Sequence, residues 1–254
     1  MLRILTTIAL AAGSFFFLSS CQPVTKNEPS AGSDSVVKPA APEQPPLKEK
    51  VLTKAEQEAL TPDMVIQSLQ AGNQRYVRND LTKRDHSALV REAAEGQYPK
   101  AVILSCLDSR VTVEDVFDKG IGDLFVGRVA GNFVNIDMLG SMEFGCKVSG
   151  AKLILVMGHE FCGAIKSAID NVKLGNITAM LEKIRPAFLR SMDFKGEKTS
   201  KNPAFVEYVA MNNIRYAIEY IRKNSPILKE MEDKGQIKII GAYYKLTTGE
   251  VIFL

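Results

Sequence analysis

The sequence predicts an α/β fold, with a mostly parallel central sheet of four to five strands flanked by helices. Three observations carry this expectation. Short, uninterrupted apolar runs recur at Lys100–Cys106, Asp123–Val129 and Lys152–Met157, as strands buried on both faces require. Stretches of helical pattern lie between and after them, at about 136–148, 162–173, 176–190 and 204–223. The chain is also long enough: 254 residues, 46% apolar and 24% charged, can build one sizeable core.

The same composition excludes collagenous, wholly disordered and polytopic membrane chains. A formal net charge of +3 gives no electrostatic footprint for nucleic acid, so no nucleic-acid partner is expected. Four cysteines and two histidines are too few for a disulfide-stapled scaffold. Their positions therefore carry more than their number.

The chain opens on an address. Met1-Leu2-Arg3 supplies a positive charge, and an uncharged, mostly apolar stretch follows from Ile4 to Leu18. It is shorter than the roughly 20 residues that span a bilayer, so residues 1–20 read as a signal peptide. Leu18-Ser19-Ser20-Cys21 resembles the bacterial lipoprotein box. That resemblance implies cleavage before Cys21, lipidation of Cys21, and a membrane-anchored protein on the periplasmic side of a bacterial envelope. Secretion into the periplasm without a lipid is the alternative. From Cys21 to residue 52 the composition turns to proline, serine, alanine, glutamate and lysine, with six of the eleven prolines. Such a segment has too little apolar area to offset ordering entropy and reads as a tether.

Residues 53–254 form a single expected domain, without repeats at solenoid spacing. Thr61-Pro62-Asp63 is a helix start, a cap followed by proline in the first turn. Val65, Leu69 and Tyr76 then share a face of a helix over 63–77. The last two strands, Gln236–Tyr244 and Glu250–Leu254, turn at Thr248-Gly249.

Open parallel sheets bind ligands just beyond the carboxyl ends of their strands, and two of these ends hold the rarest residues in the chain. The first run leads into Cys106-Leu107-Asp108-Ser109-Arg110, and the third into Gly158-His159-Glu160-Phe161-Cys162-Gly163. Two thiolates and one imidazole suit a tetrahedral zinc ion with a fourth position left for water, substrate or a carboxylate. Other readings of the same residues are inert buried cysteines, a Cys106–Cys162 disulfide, or a closed structural zinc completed by Asp108. A phosphatase loop is excluded, because Cys106 and Arg110 are too close and Asp108 intervenes.

Together these motifs resemble the β-class carbonic anhydrases, in order and near-spacing. The flanking stretches Ala71-Gly72-Asn73-Gln74-Arg75-Tyr76, Gly122-Asp123-Leu124-Phe125-Val126, Ala130-Gly131-Asn132 and Gly241-Ala242-Tyr243-Tyr244 add to the likeness, which runs from about residue 61 to 254. The resemblance implies a β-carbonic anhydrase-like fold and a zinc lyase that interconverts carbon dioxide and bicarbonate through a metal-bound hydroxide. One Zn²⁺ per subunit would sit on Cys106, His159 and Cys162. Arg110 would hold Asp108, which orients the attacking oxygen, while in a closed state Asp108 itself becomes the fourth ligand. Gly163 would leave room and a backbone N–H beside the substrate. The resemblance further implies a homodimer or larger even oligomer, with helix 63–77 reaching across to the partner. Two thiolates cancel the metal's charge, so activity is expected to rise into the alkaline range.

One departure stands out. Part of the family closes its site around bicarbonate with a tryptophan, an arginine and a tyrosine. Arg128 matches the arginine, but Ile103 stands at the tryptophan position and the chain has no tryptophan. An open site at neutral pH is therefore expected. The alternatives are a carbon disulfide or carbonyl sulfide hydrolase on the same scaffold, and a non-catalytic zinc lipoprotein that binds a partner. His86 and Glu160 read as solvated residues and Cys146 as core.

Overall fold

A computed structural model describes residues 50–254. The signal peptide, Cys21 and the tether up to residue 49 lie outside the described residues. Among the described residues, no helix is long and apolar enough to cross a membrane.

Five strands make one sheet: β1 (Ala101–Ser105), β2 (Leu124–Arg128), β3 (Leu153–His159), β4 (Lys238–Tyr244) and β5 (Val251–Phe253). Their order is β2-β1-β3-β4-β5. The first four are parallel and β5 returns antiparallel to β4, the pair expected around Thr248-Gly249. β1 and β3 are buried at every residue, which is why their sequences are continuously apolar rather than alternating.

Alternation instead sorts the side chains between two cores. Val102, Leu104, Ile154 and Val156 point into one. Ala101, Ile103, Leu153, Leu155 and Met157 point into the other. The second core is roofed by α2 (Pro62–Val77) and the short α4 (Val113–Val116), through Val65, Leu69, Val113 and Val116. The first is roofed by α5 (Ile136–Glu143), α6 (Gly163–Ile169), α9 (Pro203–Asn224) and α10 (Pro226–Asp233).

Helix α2 begins where expected. Thr61 caps it by accepting from the Met64 N–H at 3.2 Å, and Pro62 occupies its first turn. Val65 and Leu69 bury the inner face of this helix in the chain's own core, while Met64 and Val77 are exposed.

Several elements differ from the expected pattern. Residues 136–148 are α-helical only to Glu143, then continue as a π-helical turn over Phe144–Val148. The expected helix over 162–173 stops at Ile169, and Asn171 beyond it adopts φ 51°. The stretch 176–190 divides into α7 (Gly175–Leu181) and α8 (Arg185–Arg190), with Pro186 in the first turn of the second. Two further helices, α1 (Lys54–Glu58) and α3 (His86–Ala93), precede the sheet.

The long helix α9 is the element that backs the site. Its buried row runs Val206, Val209, Ala210, Asn213, Ile214, Ala217, Ile221. Ile214 lies so close to β3 and β4 that a Cβ on Gly158 would come within 2.9 Å of it, and one on Gly241 within 2.6 Å. The two glycines thus let helix and sheet approach closely, which brings Asn213 next to the strand-end loops.

Candidate metal centre

The chain runs from β1 out to β2 on one side and then back to β3 on the other. The crevice where it reverses, beyond the carboxyl ends of β1 and β3, is where an open parallel sheet binds its ligand. Cys106 follows the last residue of β1, His159 is the last residue of β3, and Cys162 caps the amino end of α6. Parallel pairing of β1 with β3 brings the first cysteine to the histidine. The turn Glu160-Phe161, with Phe161 at φ 57°, brings the second.

The Cys106, His159 and Cys162 ligand atoms lie within 4.8 Å of one another, and all three residues are buried. The two sulfurs are 4.0 Å apart. A disulfide needs about 2.05 Å, whereas two sulfurs at about 2.3 Å from one tetrahedral zinc stand about 3.8 Å apart. All three cysteines among the described residues are free. The His159 Nδ1 lies 2.8 Å from the Glu160 carbonyl, leaving Nε2 buried without a hydrogen-bond partner among the described residues. A buried, unpaired ring nitrogen beside two thiols is a poor arrangement for protein alone and a good one for a thiophilic divalent metal. The donor set fits such an ion.

Asp108 stands beside these donors but outside their cluster. Arg110 grips it through Nε to Oδ1 at 2.9 Å and Nη2 to Oδ2 at 2.8 Å, and the Arg110 backbone N–H adds a bond to Oδ1 at 3.0 Å. These bonds hold the Asp108 carboxyl well below the usual carboxylate range. Its Oδ2 lies 4.0 Å from His159 Nε2. Arg128 donates to the carbonyls of Cys106, at 3.0 Å, and of Asp108, at 2.5 Å, so it fastens the loop that carries both. Ile103 is fully buried inside β1.

The Cys162 thiol is the strongest influence on Cys106. Together with His159 and the Gly131 and Asp108 N–H groups, it outweighs burial and draws the Cys106 thiol well below its ordinary pKa. The same contact and burial push Cys162 upward. Gly163 opens α6, and a Cβ there would meet nothing within 4 Å, so the space beside Cys162 is open.

Three other residues have simple places. Cys146 is buried, and burial pushes its thiol up to about 12. His86 is exposed at the start of α3. Glu160 is more than a solvated turn residue: its Oε2 accepts the Thr247 N–H at 3.0 Å and so holds the β4–β5 turn. Sequence reasoning gave no role to Gly131 or Asn213. Asn213 interrupts the apolar row of α9, a signal visible in the sequence.

Comparison with known proteins agrees with this geometry. The carbonic anhydrase family pattern matches residues 101–251. Carbonic anhydrase 2 of Mycobacterium tuberculosis is 30% identical over 194 residues, which span 73% of this chain and 89% of that protein. The structure of the β-carbonic anhydrase CcaA is similar with a TM-score of 0.60 at 24% identity, covering 75% of this chain and 93% of that one. One of two tetrameric β-carbonic anhydrases from Sordaria macrospora is similar at 0.59 and 20% identity, covering 76% and 95%. The buried Cys-His-Cys cluster lies within the matched region, and the chain belongs to the β class of the carbonic anhydrase family.

Proposed function

We propose that this protein catalyses the reversible hydration of carbon dioxide to bicarbonate, using one zinc ion per subunit held by Cys106, His159 and Cys162. The observation that carries this reading is the separation of roles at the strand ends: three buried donors converge, while the neighbouring carboxylate is held aside by its own arginine. A structural zinc has no use for that arginine. Zinc bound there supplies the positive charge that lets a water molecule lose a proton near neutral pH.

The remaining work falls to the chain. Asp108, kept ionised by Arg110, is a fixed acceptor for a hydrogen on the attacking oxygen, and so directs that oxygen's lone pair at the substrate carbon. Arg128 holds the loop's carbonyls, so Asp108 and Cys106 keep their relative position. Carbon dioxide is small and neutral and offers little binding energy, so open space matters more than specific contacts; Gly163 supplies it beside Cys162.

The same reading includes a homodimer or larger even oligomer, supported by the tetrameric Sordaria macrospora relatives. It also includes a lipid anchor on Cys21 and a periplasmic location, supported by the sequence Leu18-Ser19-Ser20-Cys21. Metal analysis of the purified protein combined with stopped-flow carbon dioxide hydration tests the central claim. Stoichiometric zinc and hydration well above the uncatalysed rate are expected. A zinc-loaded protein at the uncatalysed rate rejects it.

A further inference from the structure

The Cys106 sulfur accepts a hydrogen bond from the Gly131 N–H at 3.3 Å. Gly131 sits in the turn Val129–Asn132, closed by the Asn132 N–H bonded to the Val129 carbonyl at 2.9 Å. Its φ is +79°, and a Cβ there would fall 2.4 Å from Ile184 Cδ1 and 3.1 Å from Ala164 Cβ, so only glycine fits. The next residue, Asn132, is also left-handed at φ 39°. Two successive residues in that region make a turn that needs holding from outside.

Asn213 provides the hold. Its Nδ2 donates to the Gly131 carbonyl at 2.8 Å across 82 residues of sequence. Asn213 is 1% exposed, and its Oδ1 is buried without a partner among the described residues. An apolar side chain would complete the α9 row at no such cost, so packing alone does not explain an amide here. The amide's one observed bond ends on the residue that donates to a metal-ligand sulfur.

We propose that Asn213 is a positioning residue of the metal centre: by holding the Gly131 carbonyl, it keeps the Gly131 N–H aimed at the Cys106 sulfur. An N–H donor to a thiolate draws electron density from the sulfur and weakens its donation to the metal. With two thiolate ligands already cancelling the charge of a divalent ion, such a bond keeps the metal electron-poor. The inference rests on the proposal that these three residues bind zinc.

The test uses the cobalt-substituted protein and its thiolate-to-metal charge-transfer absorption. Asn213→Leu removes the donor at similar volume, and Asn212→Leu, one position away and bonded to Ser191 rather than Gly131, is the control. A shift of the band to longer wavelength in Asn213→Leu but not in Asn212→Leu is the expected result. An unshifted band in a folded, cobalt-loaded Asn213→Leu overturns the proposal. Absence of any thiolate band in the cobalt-loaded wild type overturns the metal reading instead. Should Asn213→Leu fail to fold, wild-type protein loaded with cadmium-113 gives an independent answer. A scalar coupling between the metal and the Gly131 amide proton supports the bond, and its absence while Cys106 coordinates cadmium overturns it.

Discussion

Arg110 and Asp108 are joined at two points, Nε to Oδ1 at 2.9 Å and Nη2 to Oδ2 at 2.8 Å, two residues apart on one loop. This fork fixes the plane of the carboxylate as well as its charge. Arg110 is more than half exposed while Asp108 is mostly covered, so the pair contributes little to stability and much to orientation.

Replacing either member should therefore damage catalysis without emptying the metal site. Asp108→Ala and Arg110→Leu are each expected to lower kcat/KM by roughly 10²-fold or more, with zinc content unchanged. Stopped-flow hydration and metal analysis on the same preparations check this. A variant with wild-type activity would remove the residue from the mechanism.

Metal removal should expose the two cysteines of the site to each other. Their sulfurs are 4.0 Å apart, and Cys106 is drawn toward the reactive thiolate form by the Cys162 hydrogen bond. Closing to a disulfide takes a movement of about 2 Å. Chelator-treated protein in air is expected to form the Cys106–Cys162 disulfide, while Cys146, with its thiol pushed up to about 12 by burial, stays free. Peptide mass mapping that finds all three thiols unchanged would contradict this.

Away from the site, Asp118 sets an acid limit on stability. Its buried carboxylate accepts bonds from Arg75 at 2.5 Å, Arg84 at 2.7 Å, and the Thr82 hydroxyl and N–H at 2.7 and 3.1 Å. Burial acts to raise its pKa, and these partners together overcome it, leaving the group at about 2. Since this lies below the unfolded value of about 3.9, the contribution is fully present above about pH 4 and fades as pH falls through about 2. Its size is roughly 2 kcal/mol. Asp118→Asn should cost about 3 kcal/mol at neutral pH, because it removes the buried carboxylate that Arg75 and Arg84 share. Denaturant melts of both proteins at pH 7 and pH 3 measure the cost and its partial loss in acid.

Phe161 offers a stabilising change. It holds φ 57° between His159 and Cys162 and is partly exposed. A bulky residue there is strained by about 1–2 kcal/mol, a cost that asparagine largely escapes. Against this stands its contact with Lys166, 5.6 Å from the ring centroid, worth about 0.5 kcal/mol on the surface. Strain is the larger effect, so Phe161→Asn is expected to raise stability by up to about 1 kcal/mol with zinc content unchanged. A lowered melting midpoint would show that the ring's contacts outweigh the strain.

Much of this protein could be read without coordinates, for a definite reason. A strand buried on both faces must be apolar along its whole length, so β1 and β3 announce themselves. A cysteine or histidine at the end of such a run is then marked as lying at the sheet's binding edge. Cys106, His159 and Cys162, expected at such ends, do meet there, and Asp108 and Arg110, which the family resemblance paired, are bonded to each other. Short elements stayed hidden: α4 has four residues and α1 five, too few for helical periodicity to show. The break between α7 and α8 was marked in the sequence by Pro186, which a continuous helix over 176–190 could not hold unkinked. The direction of the Asp108 carboxylate, the 4.0 Å between two sulfurs 56 residues apart, and the reach of Asn213 to Gly131 were decided only by the tertiary structure. Sequence pattern reports how deeply a residue is buried in its own element. Which buried polar atoms meet depends on strand order, register and how closely a helix approaches the sheet, and those are properties of the assembled fold.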